Sequence, residues 1–125
     1  MTPLLFLALA LAGGAGAAVR LVLDGLIRAR LGARLPWGTL AINVSGSLLL
    51  GLLTGLAHPG GLPEGWEVVL GTGFLGGYTT FSTAGVETVR LLQERRIGAA
   101  AINGVGMLVV SVAVALAGYV LGRAW

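Results

Sequence analysis

Gly71-Thr72-Gly73-Phe74-Leu75-Gly76-Gly77-Tyr78-Thr79-Thr80-Phe81-Ser82-Thr83 is the stretch whose reading decides the fold. It sits inside a segment apolar enough to cross a membrane. Glycine costs roughly 1 kcal/mol per helical position relative to alanine, and threonine and serine compete with the helix for backbone partners. A lipid-facing helix of ordinary kind does not carry both at this density. Irregular backbone at membrane depth survives only where protein buries it or where it lines a hydrated path. The stretch therefore reads as an ion site or pore element, with a break in the helix that carries it.

The rest of the chain supports a membrane setting. Charged residues make up 10% of the 125 positions and hydrophobic ones 56%, where a soluble domain carries about 25% charge. Four uncharged stretches, Met1–Val19, Trp37–His58, Val68–Val86 and Ile97–Gly122, each approach the roughly 20 residues a spanning helix requires. They predict one membrane domain over residues 1–125, with spans at about 3–22, 37–57, 67–89 and 97–121. The connectors are then Arg20–Pro36, Pro59–Glu67 and Glu87–Arg96. Ala15-Gly16-Ala17 looks like a leader cleavage site, but the positive flank of a leader is missing, so the first stretch reads as a retained span.

The net charge of +3 comes from eight basic residues, all arginine. Arg20, Arg28, Arg30, Arg34, Arg90, Arg95 and Arg96 follow spans one and three, against Arg123 alone on the opposite face. The positive-inside rule places the first and third connectors in the cytoplasm and both termini outside.

Polar residues inside the spans fall at helical spacing. Gly13, Gly16 and Arg20 share a face of span one, and that narrow face ends in a guanidinium able to concentrate anions. Thr39, Asn43 and Ser47 stand four apart on span two and continue into Gly51 and Gly55. Asn103, Met107 and Ser111 repeat the pattern on span four, followed by Gly118 and Gly122. Such faces serve either as interhelical glue or as a functional track; Ser47 reads as glue and Asn43 as functional.

Absences narrow the chemistry. Without cysteine there is no thiolate metal site, and His58 alone gives an intramembrane hydrolase nothing to build on. Asp24, Glu64, Glu67, Glu87 and Glu94 all read as lying in or beside connectors, leaving no acid to relay protons in a cation pump. Neutral hydroxyl and amide donors with one arginine suit a small anion that hydrogen-bonds strongly. A four-helix multidrug exporter, which needs a glutamate in span one, and a non-selective assembly protein are the other readings.

Three motifs resemble those of the small bacterial fluoride channels, the Fluc or CrcB family. They are Gly13-Gly14-Ala15-Gly16-Ala17-Ala18-Val19-Arg20, Gly38-Thr39-Leu40-Ala41-Ile42-Asn43-Val44-Ser45-Gly46, and the run from Gly73 to Thr83. The resemblance covers essentially the whole chain. It implies an all-α integral membrane protein of four transmembrane helices with a broken third helix, paired as an antiparallel dimer in the bacterial inner membrane. Two pores would run along the dimer interface. It implies passive export of cytoplasmic fluoride, which reduces fluoride toxicity, and no enzyme activity or nucleic-acid partner. By motif position, Arg20 matches the vestibule arginine, and Asn43, Ser82, Thr83 and Ser111 match the polar pathway. Phe81 matches a phenylalanine whose ring edge meets fluoride, and the carbonyls of Gly76 and Thr79 match the seat of a structural Na+.

The sequence departs from the pattern at Ala84, where the family places a second phenylalanine, and at Met107, where Tyr or Asn is common. A homodimer is the simpler expectation. The missing ring and the one-sided arginines also fit a heterodimer with an oppositely inserted paralogue.

Overall fold

A computed structural model describes residues 1–125, and the chain is predominantly helical, with no strand. Helix α1 spans Pro3–Leu31, opened by Thr2, whose Oγ1 accepts from the Leu5 N–H at 3.2 Å, and by proline in the first turn. It runs well past the expected end near residue 22. Residues 20–31 contain no proline, and an Asp24–Arg28 pair at 2.9 Å adds i,i+4 support. The helix stops where Gly32 takes a φ of 81° and donates to the Arg28 carbonyl. The expected connector Arg20–Pro36 thus contracts to residues 32–36, and Asp24 belongs to a helix.

Helix α2 is Trp37–Leu56. Helix α3 occupies residues 68–78, π-wound over Val68–Leu75 and α-wound over Gly76–Tyr78. Helix α4 is Ser82–Gln93, and α5 runs over Ile97–Arg123 with a π-wound turn at Ile102–Gly106. Three helices, α1, α2 and α5, are long and apolar enough to cross a membrane. The stretch Val68–Val86, read from sequence as a further span, is divided between α3 and α4, neither long enough by itself.

Glycine seams set the packing. Gly16 of α1 lies on the backbone of Phe74 and Tyr78, and Gly77 of α3 lies on that of Gly13 and Ala17. Between α2 and α5, Gly51 meets the Ala115 backbone, Gly55 that of Tyr119, and Gly118 that of Leu48. A Cβ at any of these positions would collide with main chain, which cannot swing aside as a side chain can. Small residues four apart let the helix backbones touch, so dispersion replaces the hydrophobic drive that lipid cannot supply. The enclosed apolar core is small: Ile42, Leu75 and Tyr78, backed by Leu23, Leu53 and Phe74.

Connectors one and three meet at one end. Arg90 Nη2 donates to the Ala33 carbonyl at 3.4 Å and Arg96 Nη1 to the Arg34 carbonyl at 2.7 Å. Trp37 is exposed at this end, and Trp66 and Trp125 at the other, as aromatic residues at two membrane interfaces are.

Candidate functional site at the helix break

Helix α3 ends because Thr79 turns extended, at φ −80° and ψ 159°. Its own N–H and Oγ1 both donate to the Leu75 carbonyl at 2.9 Å, closing the last turn. Asn43 of α2 clamps the next residue. Its Oδ1 accepts from the Thr80 N–H and its Nδ2 donates to the Thr80 carbonyl, both at 2.8 Å. The amide thereby supplies a helix-broken residue with both backbone partners it has lost. Thr80 in turn caps α4: its Oγ1 accepts from the Thr83 N–H at 3.2 Å and donates to Thr83 Oγ1 at 3.1 Å.

The break leaves unpaired groups of both signs. The carbonyls of Gly76, Gly77, Tyr78 and Thr79 receive no hydrogen bond, and the N–H groups of Phe81 and Ser82 find no acceptor. One interruption therefore offers a carbonyl end, attractive to cations, beside an N–H end, attractive to anions. Uncharged oxygens suit a hard cation, so Gly76 and Thr79 fit the carbonyl-held ion that their motif implies. No cluster of three His, Cys, Asp or Glu side chains could hold a metal elsewhere.

An open groove of about 480 Å³ runs along the break between α2, α4 and α5. Asn43, Thr79, Phe81 and Ser111 of the expected set line it, with Ser47, Asn103 and Met107. The Phe81 ring is 91% exposed within the subunit, unusual for an aromatic beside a polar wall. Ser111 Oγ is buried without a partner. Ser82 and Thr83 start α4 next to Thr80 but do not line the groove, nor does Gly76. Arg20 stands apart on α1, half-buried, with its Nε buried and unpaired. Ala84 does line the groove, and its carbonyl accepts from Thr88 Oγ1 at 2.7 Å and Asn103 Nδ2 at 3.2 Å.

Two polar contacts were not foreseen. Ser45 and Tyr78 share a hydrogen bond of 2.9 Å on the α2–α3 contact. More important, Glu87 is not a solvated connector residue: it lies in α4, 8% exposed, and its Oε1 accepts from Thr39 Oγ1 at 3.0 Å while Oε2 is buried and unpaired. The expectation that every acid stands in or beside a connector is corrected here. Because α4 starts afresh at Ser82, Glu87 and Leu91 share its inward face four residues apart. That spacing is the signal in the sequence for an inward Glu87, and it outweighs the charge that points to a connector.

Known proteins carry the same arrangement of sequence. The family model described as CrcB-like protein, Camphor Resistance (CrcB), matches residues 7–119. The fluoride-specific ion channel FluC 1 of Leifsonia xyli subsp. xyli is 57% identical over 122 residues, covering 98% of this chain and 89% of that protein. FluC 2 of Cutibacterium acnes is 49% identical, covering 90% and 92% of the two chains. FluC of Thermus thermophilus is 40% identical, covering 95% of each. With the match running through α1, the glycine seams, the break and most of α5, this chain belongs to the CrcB family.

Proposed function

We propose that this chain is a subunit of a fluoride-specific ion channel, a passive conductor and not an enzyme, residing as a multi-pass protein in the bacterial inner membrane. One observation carries the reading: Asn43, Ser111 and the exposed Phe81 ring line one groove, at the edge of a break that leaves N–H groups unpaired. Relatives named fluoride-specific ion channels at up to 57% identity support it. Fluoride holds its water tightly, and moving an uncompensated charge into low dielectric costs many kcal/mol. A path must therefore offer replacement donors at each step, none so strong that the ion stays. Amide and hydroxyl donors do this, and the positive ring edge of Phe81 adds to them. Ser82, Thr83 and Ser111 extend the donor set, and Arg20 draws anions toward it.

On this reading α3 and α4 together form one broken span, the third of four. Two subunits meet in antiparallel fashion across the exposed groove, which is open in the single chain. The carbonyls of Gly76 and Thr79 would hold a structural Na+, whose charge offsets the carbonyl end of α3. Ala84 leaves the groove short of one ring, and the arginines crowd one end. A homodimer is the simpler assembly, and those two features also fit pairing with an oppositely inserted paralogue.

Efflux from liposomes carrying the purified chain alone tests the proposal. Rapid fluoride efflux with chloride retained is the expected result for a self-sufficient dimer. Silence that is relieved by Ala84→Phe or by a co-reconstituted paralogue establishes the half-channel, and equal leakage of both anions overturns the fluoride reading.

A further inference from the structure

Asn43 has one hydrogen left after clamping the break, and its partner is a methionine sulfur. Oδ1 accepts from a backbone N–H, which cannot itself accept, so the orientation of the amide is decided by chemistry. The hydrogen of Nδ2 on the Oδ1 side completes the paired contact with the Thr80 carbonyl. The other hydrogen points at Met107 Sδ, 3.3 Å from Nδ2. Met107 is 5% exposed and lines the groove with Asn43 and Ser111.

A thioether is a weak acceptor. A buried donor left with no acceptor is costly, and one held by a strong acceptor is slow to exchange. We propose that Met107 is a placeholder that sets the affinity and release rate of the anion at Asn43. Its sulfur occupies the free N–H between ions and gives way to an arriving fluoride. As the ion leaves, the sulfur returns, so the donor is never stranded. The inference rests on Asn43 lying on the fluoride pathway, as proposed above.

Two substitutions move this device in opposite directions. Met107→Leu keeps the approximate volume and removes the acceptor; the half-saturating fluoride concentration for conductance should fall about three- to tenfold, with a lower maximal rate, because departure now strands a donor. Met107→Gln offers an amide oxygen, a strong acceptor; half-saturation should rise about tenfold or more as fluoride competes for the N–H. A residue that only packs would give no change, or losses of the same sign in both variants together with a lower melting temperature, and either pattern overturns the proposal. Asn43→Ala is measured beside them. If it conducts like the parent, the pathway reading itself is wrong. If it is silent while both Met107 variants match the parent, Met107 alone has been misjudged. The Asn43 side-chain amide resonance gives a second readout in detergent: sodium fluoride should shift it at lower concentration in Met107→Leu than in the parent, and an unchanged titration overturns the placeholder.

Discussion

The seam between α2 and α5 and the break beside it use the same residue types to opposite ends. Along the seam, Gly51, Gly55, Gly118 and Gly122 bring two unbroken helical stretches into main-chain contact. At the break, glycines and threonines let the helix come apart, and the lost partners are replaced piecemeal by Asn43 and Thr80 or not replaced at all. A small residue paired with another small residue closes space. A small residue beside a hydroxyl opens backbone to a ligand. The first arrangement is stiff because nothing in it can move without a clash; the second is reactive because its polar groups are incompletely satisfied.

The largest effect should come from destroying the closed region. Gly51→Leu drives a side chain into the Ala115 backbone, where overpacking costs about 3 kcal/mol or more. Loss of monodisperse protein in detergent is expected, and a normal elution profile would show that the seam has slack the contacts do not suggest. In the open region a substitution should instead separate function from stability. Phe81→Leu removes a ring that is 91% exposed in the subunit. The melting temperature should stay within experimental scatter while fluoride efflux falls at least about tenfold, the scale of losing roughly 1.4 kcal/mol of ion stabilisation. A drop in both would mean that the ring also holds the proposed dimer together.

Thr80→Ala lies between the two regions, since it deletes the hydroxyl that caps α4. About 1 kcal/mol of stability should be lost, and Thr80→Ser should restore most of it. Failure of serine to rescue would assign the methyl group, not the cap, as the important part. The smallest effect is expected at Arg96→Gln, which removes an exposed contact to the Arg34 carbonyl. A loss under about 1 kcal/mol is expected in thermal unfolding, and a larger one would mean that the two connectors form a rigid strap.

Much of this was legible beforehand because membrane helices write themselves in composition. The four apolar stretches, the glycine faces and the arginine-rich side are all local properties of the chain. The gap between Tyr78 and Ser82 falls in the stretch where Gly76-Gly77 and Thr79-Thr80 weaken a helix. Where it was misread, a boundary was at fault. Charge in sequence marks a connector, yet Asp24 and Arg28 pair along α1 and prolong it, and Glu87 turns inward to Thr39. A charged residue looks the same in sequence whether water or a threonine hydroxyl solvates it.

Local chemistry along the chain is enough for a bundle suited to lipid, for helices that meet through small residues and for one weakened helical stretch. Those outcomes follow from side-chain size, hydropathy and helical period, which neighbours in sequence already settle. Which polar groups remain free depends on how the helices pack. Asn43, Thr80 and Met107 lie far apart in the chain, and whether an amide hydrogen is spent on a carbonyl, lent to a sulfur or left for an ion depends on what the break and α5 bring within about 3 Å of α2.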